Sequence, residues 1–329
     1  MSKLDKKYDV VILTHAPKSY FAESLLLVLN QTISPEKIIV YNTNKELFDV
    51  EISNSLGLTI DDIINKRFKE KIEVIHIDEN EFDHGKARND ATKLGNAEYI
   101  LFLTDDAVPY DNLMCEKLLS AFDKYSTEKS KVAVTYARQI ARNDAKLKER
   151  YIREFNYPDY DIIKEKSKEA ELGIKNYFCS NVCAMYDRDI FNKMGCFEEN
   201  LILNEDTFYV YKAINSGYKV VYCAEAKVEH SHNLNYREQF SRNFDIGVSQ
   251  QEKRDIFEKI PSISEGKRLA LYVTKKLLSG LHIFMIVDFW IECIYRYLGF
   301  CKGKNYEKLS IDKCIKYASN KKYFIKKKA

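Results

Sequence analysis

The chain lacks paired cysteines, a phosphate-cradling glycine loop and any long apolar run, and each absence narrows what it can be. Its eight cysteines are scattered, with no CxxC and no zinc spacing, which argues against a disulfide framework or a zinc module. Cys179 and Cys183, four apart beside an expected strand, read as buried thiols, and the whole set points to a reducing, cytoplasmic setting. No GxGxxG follows the first expected strand, which weighs against a dinucleotide-binding Rossmann domain. A P-loop and a GxSxG elbow are missing too. The start, MSKLDKKYD, is too polar for a signal peptide. The longest uncharged stretch late in the chain, Leu277 to Val287, falls short of the roughly 20 residues a membrane span needs.

What remains is ordinary globular material, 329 residues with 45% hydrophobic and 31% charged, enough for one large domain or two ordinary ones. The net charge of +3 hides an asymmetry. Residues 302 to 329 carry ten Lys against Glu307 and Asp312, a local +8 that leaves −5 for the rest. A basic tail on an acidic body suggests an anionic surface as partner. With no nucleic-acid motif in the chain, lipid is favoured and nucleic acid is not expected.

Strand and helix patterns alternate from the start. YDVVILT (8–14), KIIVYN (37–42), IEVIHID (72–78) and EYILFLT (98–104) read as buried parallel strands with helices between them, which predicts right-handed βαβ units and a mostly parallel sheet. Further strands are expected at 131–137, 181–186 and 218–223, with a charged surface helix or lid over 159–176. The fourth strand ends at Asp105 and Asp106, where α/β sheets place their ligands. Adjacent carboxylates repel unless a cation lies beside them, and their hard oxygens suit Mg²⁺ or Mn²⁺, usually shared with a phosphate. Just upstream, Gly85-Lys86-Ala87-Arg88 opens a short helix whose free N–H groups and Arg88 fork suit an anion. Together these features describe a nucleotide-diphosphate site.

FDHGKARN followed by a strand and TDDAVP resembles the rhamnosyltransferase branch of the family-two glycosyltransferases. The resemblance continues through ARQ (137–139), FNYP (155–158), YFCSNVCAMY (177–186), NED (204–206) and HSHN (230–233), about residues 8 to 250. It implies an α/β GT-A fold, a Rossmann-like nucleotide-diphospho-sugar transferase, with a catalytic domain over 1–260 and a helical, basic C-terminal region over 261–329. Gln usually stands in that branch where this chain has Asp105, so Asp106 is the expected primary metal ligand and Asp105 an addition. The resemblance makes Asp206 the base that deprotonates an acceptor hydroxyl, with Glu205 beside it. It assigns donor contacts to Thr14, Ala16, Asn42, Asn44, Asp78, His84, Arg88, Asp105 and Asp106, sugar or acceptor contacts to Gln139, Tyr157, Asn181 and Glu205, and further metal ligation to His230 and His232.

Residues 265 to 301 stand apart. Asp288, Glu292 and Arg296 form one polar stripe at i,i+4 steps on an otherwise apolar helix carrying Phe289, Trp290, Ile294, Tyr295 and Leu298. Such a face could pack on the core, pair with a second copy as a homodimer, or lie in a bilayer interface beside the lysines further along the chain.

The expected activity is an inverting, metal-dependent transfer of L-rhamnose from dTDP-L-rhamnose to a hydroxyl of a lipid-linked bacterial polysaccharide intermediate. The enzyme would sit in the cytoplasm on the inner face of the membrane. The alternatives are a donor of another kind, such as a UDP-hexose, and an inactive glycan-binding protein of the same fold. A nucleotide-sugar pyrophosphorylase would carry a glycine-rich loop after the first strand, where this chain has HAPKSY.

Overall fold

The computed structural model describes residues 6–15, 17, 19–48, 69–258 and 263–328. Its strands are β1 (Tyr8–Thr14), β2 (Lys37–Asn42), β3 (Ile72–His76), β4 (Tyr99–Thr104), β5 (Val108–Pro109), β6 (Val132–Ile140), β7 (Ile162–Lys164), β8 (Cys183–Asp187) and β9 (Lys219–Glu229). They form one sheet in the order β3-β2-β1-β4-β8-β6-β9-β5, with β7 also on β9. β1 to β4, β6 and β9 run in one direction, as their apolar runs predict, while β8 is wedged antiparallel between β4 and β6.

The reversal of β8 organises the site. Its beginning lies beside the end of β4, where the Thr104 amide donates to the Val182 carbonyl at 3.1 Å. Four chain segments therefore meet on one rim: the carboxyl ends of β4, β6 and β9, and the start of β8. On β9 the register jumps between Cys223 and Lys227 opposite consecutive residues of β6, a bulge of the kind that re-aims the rest of a strand. Apolar side chains from 19–29 and 114–125 cover one face of the sheet; those of 84–92 and 205–215 cover the other. The expected lid over 159–176 is partly sheet, since β7 pairs with β9 and Lys164 is buried. The expected domain boundary at 260/261 and the Ala16 contact fall outside the described residues.

The C-terminal helices close on the helix Tyr236–Glu252. Ile283–Lys304 crosses it so tightly that a Cβ on Gly299 would meet the Phe240 carbonyl oxygen at 2.2 Å, and one on Gly303 the Phe244 oxygen at 2.1 Å. Gly247 meets the partner helix in the same way, so both backbones depend on missing side chains. Gly303→Ala is expected to lower stability by about 1–3 kcal/mol through overpacking. Gly266→Ala, where a Cβ meets nothing within 4 Å, should leave it unchanged or slightly raised, and urea unfolding of both variants checks this.

The polar stripe of Ile283–Lys304 faces inward, opposite to the usual arrangement. Glu292 is 2% exposed and pairs with Lys148 at 2.6 Å and with Arg296 at 2.6 Å. Asp288 also reaches Lys148, at 2.6 Å. A buried carboxylate needs such partners, so the stripe turned toward Lys148 and the apolar side turned out. The last helix is tied down as well. Asp245 accepts from the Asn320 amide at 2.8 Å, and Lys322, Lys327 and Lys328 pair with Glu79, Glu252 and Asp312. Part of the tail's positive charge is thus spent on the protein's own acids.

Candidate active site

Asp106 stands just past β4, with His230 and His232 just past β9. The Nε2 atoms of the two imidazoles lie 3.4 and 3.6 Å from Asp106 Oδ2, and one ligand atom from each of the three residues fits within 4.8 Å. Burial pushes His230 down and, with His230 beside it, pushes His232 down to about 4, so both rings are neutral at physiological pH.

The hydrogen bonds behind His230 define its tautomer. The Arg153 guanidinium donates to Gln139 Oε1, which fixes the amide so that Nε2 donates to Ser180 Oγ at 2.9 Å. The same Oε1 lies 3.0 Å from His230 Nδ1, and an oxygen there must accept, so Nδ1 carries the proton. The neutral ring then aims the Nε2 lone pair at a carboxylate oxygen. Two acceptors facing each other at 3.4 Å call for a cation between them. A carboxylate and two imidazoles suit Mn²⁺ better than Mg²⁺, which prefers oxygen ligands. The residues present therefore fit a divalent metal.

Asp105 is not in this cluster. Its Oδ2 accepts from Thr14 Oγ1 at 2.7 Å, which ties the rim of β4 to that of β1. Asp105, expected as an added metal ligand, thus stands outside the group formed by Asp106, His230 and His232, with buried Thr14 as a partner. Arg142, which carries no motif in the sequence, donates to the Asp106 carbonyl and stacks on the Tyr20 ring, with 3.8 Å from its guanidinium carbon to the ring centroid.

The second carboxylate site opens the helix Glu205–Asn215. Asp206 Oδ2 accepts from the Asn181 amide at 3.1 Å, and Oδ1 from the Thr207 amide at 2.7 Å. Burial and the neighbouring Glu205 push Asp206 up to about 7. Burial would raise Glu205 as well, but Arg88, 2.9 Å away, holds it low. One acid of the pair is kept ionised while the other is poised to exchange a proton near neutrality. Ser180 and Asn181 are adjacent in the chain, so contacts run without a gap from Asp206 to Gln139, His230 and Asp106.

Several residues expected at donor or acceptor contacts have protein partners in this structure. Arg88 is buried on Glu205, not turned to a phosphate, and the helix start before it is capped by Asp83, which accepts from the Lys86 amide at 2.8 Å. Gly85 makes room for the Glu198 carbonyl, 2.3 Å from where its Cβ would lie, rather than for a ligand. His84 packs edge-on to Phe82, and burial lowers it. Asn181 spends its side chain on Glu205 and Tyr186, and Gln139, 2% exposed, spends its own on Arg153, His230 and Ser180. Tyr157 is buried among Phe178 and Tyr222. Asn42 is buried against His76, while Asp78 is exposed and caps its own turn at Asn80. Asn44 lies in the turn after β2. Arg153 had no signal in sequence, because a charged helix there reads as a solvated face.

Glycosyl transferase family 2 matches residues 9–195. The O-antigen chain rhamnosyltransferase RfbN of Salmonella typhimurium is 33% identical over 328 residues, 97% of this chain and 96% of that protein. The O-antigen chain rhamnosyltransferase WbaN of Salmonella anatum is 34% identical over 258 residues, 76% and 78% of the two chains. Among solved structures, the mannosyltransferase PcManGT of Pyrobaculum calidifontis, in complex with GDP-Man and Mn²⁺, superposes with a TM-score of 0.57 at 11% identity, covering 91% and 87% of the chains. S. aureus TarS 1–349 does so at 0.50 and 16%, covering 82% and 72%. These structural likenesses show the fold.

Proposed function

Because the chain belongs to glycosyl transferase family 2 and is a glycosyltransferase, we propose that it moves L-rhamnose from dTDP-L-rhamnose onto a hydroxyl of a lipid-linked polysaccharide intermediate, with inversion. The sugar is supported by the relatives, both of which carry the name O-antigen chain rhamnosyltransferase. The chemistry is supported by one observation above all: a carboxylate with its acidity set near 7 is joined by unbroken contacts to an acid–imidazole cluster.

Asp206 takes the proton of the acceptor hydroxyl as that oxygen attacks the anomeric carbon in line, so a β-linked donor gives an α-linked product. The Asn181 and Thr207 amides hold its carboxylate in one orientation. Asp106, His230 and His232 would hold Mg²⁺ or Mn²⁺, which when bound supplies Lewis-acid neutralisation of the departing diphosphate. Arg142, touching the Asp106 carbonyl, brings a permanent positive charge to the same rim, a task the sequence suggested for Arg88. The lipid-linked acceptor places the enzyme at the inner face of the membrane. Among the described residues no helix is long and apolar enough to cross a bilayer.

The test is turnover on a donor panel. Incubated with dTDP-L-rhamnose, UDP-hexoses and GDP-mannose plus Mn²⁺ or Mg²⁺, the enzyme should release nucleotide diphosphate fastest from the rhamnose donor. Preference for a UDP-hexose would overturn the sugar assignment, and no release from any donor would favour the inactive glycan-binding reading.

A further inference from the structure

We infer that the hairpin formed by the helices Ile263–Ser279 and Ile283–Lys304 is an insertion element for an anionic bilayer surface, with its uncharged tip entering the acyl boundary. The first ground is the inverted helix. With Asp288, Glu292, Gly299 and Gly303 turned to the protein, the opposite side of Ile283–Lys304 presents Phe284, Val287, Trp290, Ile294, Tyr297 and Leu298 to solvent. Phe284 is 93% exposed and Leu281, at the turn between the helices, is 81% exposed. Leu281 holds a left-handed backbone at φ 57°, uncommon for a residue other than glycine, in the turn that joins the two helices. A solvated surface gains nothing from such a side chain, whereas an apolar phase does.

The second ground is charge. Three acids lie between residues 263 and 304, and all three are engaged by bases: Glu265 by Lys175 and Arg268, Asp288 by Lys148, and Glu292 by Lys148 and Arg296. The exposed charges beside the apolar face are basic. Lys275 lies between Leu271 and Leu278 at helical spacing, Lys267 one turn before Leu271, and Lys302 one turn beyond Leu298, all exposed. Lysines interleaved with leucine, and Trp290 and Tyr297 at the margin, match an anionic headgroup layer over acyl chains. A protein partner would ordinarily answer such lysines with acids, and a second copy meeting this face through its own equivalent face would set lysine against lysine. The groove of about 730 Å³ between these helices and Tyr236–Glu252, walled by Leu269, Ala270, Phe289 and Cys293, gives an acyl chain a place to lie.

The inference rests on the lipid-linked acceptor proposed above for its biological purpose, but its primary readout is binding to vesicles, not catalysis. The full chain is sedimented with vesicles of phosphatidylethanolamine containing phosphatidylglycerol, and with vesicles of phosphatidylcholine alone. Binding should be strong to the first and weak to the second, and should fall at high salt. Leu281→Glu with Phe284→Glu should lower partitioning at least tenfold, and the Lys267→Glu, Lys275→Glu, Lys302→Glu triple variant by about fivefold or more per charge. Turnover on a detergent-dispersed or water-soluble acceptor should be unchanged in both, which separates failure here from failure of the rhamnosyltransferase reading. Wild-type partitioning by the tip variant would overturn the inference. So would a dimer in sedimentation equilibrium that the tip variant dissolves, since the face would then belong to a second copy.

Discussion

Asp206→Asn is expected to lower the turnover number for sugar transfer by about 10²–10⁴-fold while leaving donor affinity within a factor of two. The amide has the shape of the carboxylate, but its single oxygen can accept from only one of the Asn181 and Thr207 N–H groups, so one of these two bonds is lost while the side chain still fits the rim. It cannot take a proton from the acceptor. Nucleotide-diphosphate release with acceptor present, set beside calorimetric titration of donor, separates the two effects. Near-normal transfer by this variant would remove Asp206 from the mechanism.

The pH profile gives the same test without mutation. A base works only when ionised, so with Asp206 pushed up to about 7 the rate should rise with pH through a limb centred there and level off above it. Glu205→Gln deletes the neighbouring charge that helps to raise Asp206 and leaves Arg88 uncompensated. Both changes favour the ionised form of Asp206, so the limb should move to lower pH. A limb that moves upward, or not at all, would mean that another group controls it.

β1, β2 and β4 were legible because each is a near-continuous apolar run, and burial on both faces is what such runs require. Asp106, Asp206 and the two histidines were singled out through their order along the chain, and the structure sets each at an element end. The direction of β8 was not legible. Nothing in CAMYD says that β8 runs backward, yet that reversal is what brings Asn181 to Asp206. Arg88 and Gly85 misled for a related reason. An arginine near a helix start suits a phosphate or a buried glutamate equally well, and only the fold delivers Glu205 to it. Arg153 and Gln139 form a contact across 14 residues between a helix and a strand, and no periodicity encodes such a pair. Even the C-terminal stripe, read correctly as amphipathic, left its sign open until Lys148 claimed the acids.

Asp106→Asn should abolish detectable Mn²⁺ binding, because an amide oxygen carries no charge to hold a cation between two neutral imidazoles. Manganese affinity can be read from the electron paramagnetic resonance of free Mn²⁺, with and without nucleotide diphosphate, apart from any turnover. The more discriminating variants lie one layer back. Gln139→Leu removes the acceptor that keeps the proton on His230 Nδ1 and frees the ring to turn or to change tautomer. It should weaken Mn²⁺ binding about 10–100-fold, the range found when a partner behind a metal-binding histidine is lost. Gln139→Glu restores an acceptor facing both Arg153 and His230, at the expense of the bond to Ser180, and should recover most of that loss. A purely packing role for Gln139 predicts the reverse order, because leucine would fill the buried space without adding a charge. If Gln139→Leu binds manganese as the wild type does, the tautomer is set by something other than this amide. If Asp106→Asn binds it too, the acid at the end of β4 is not a ligand.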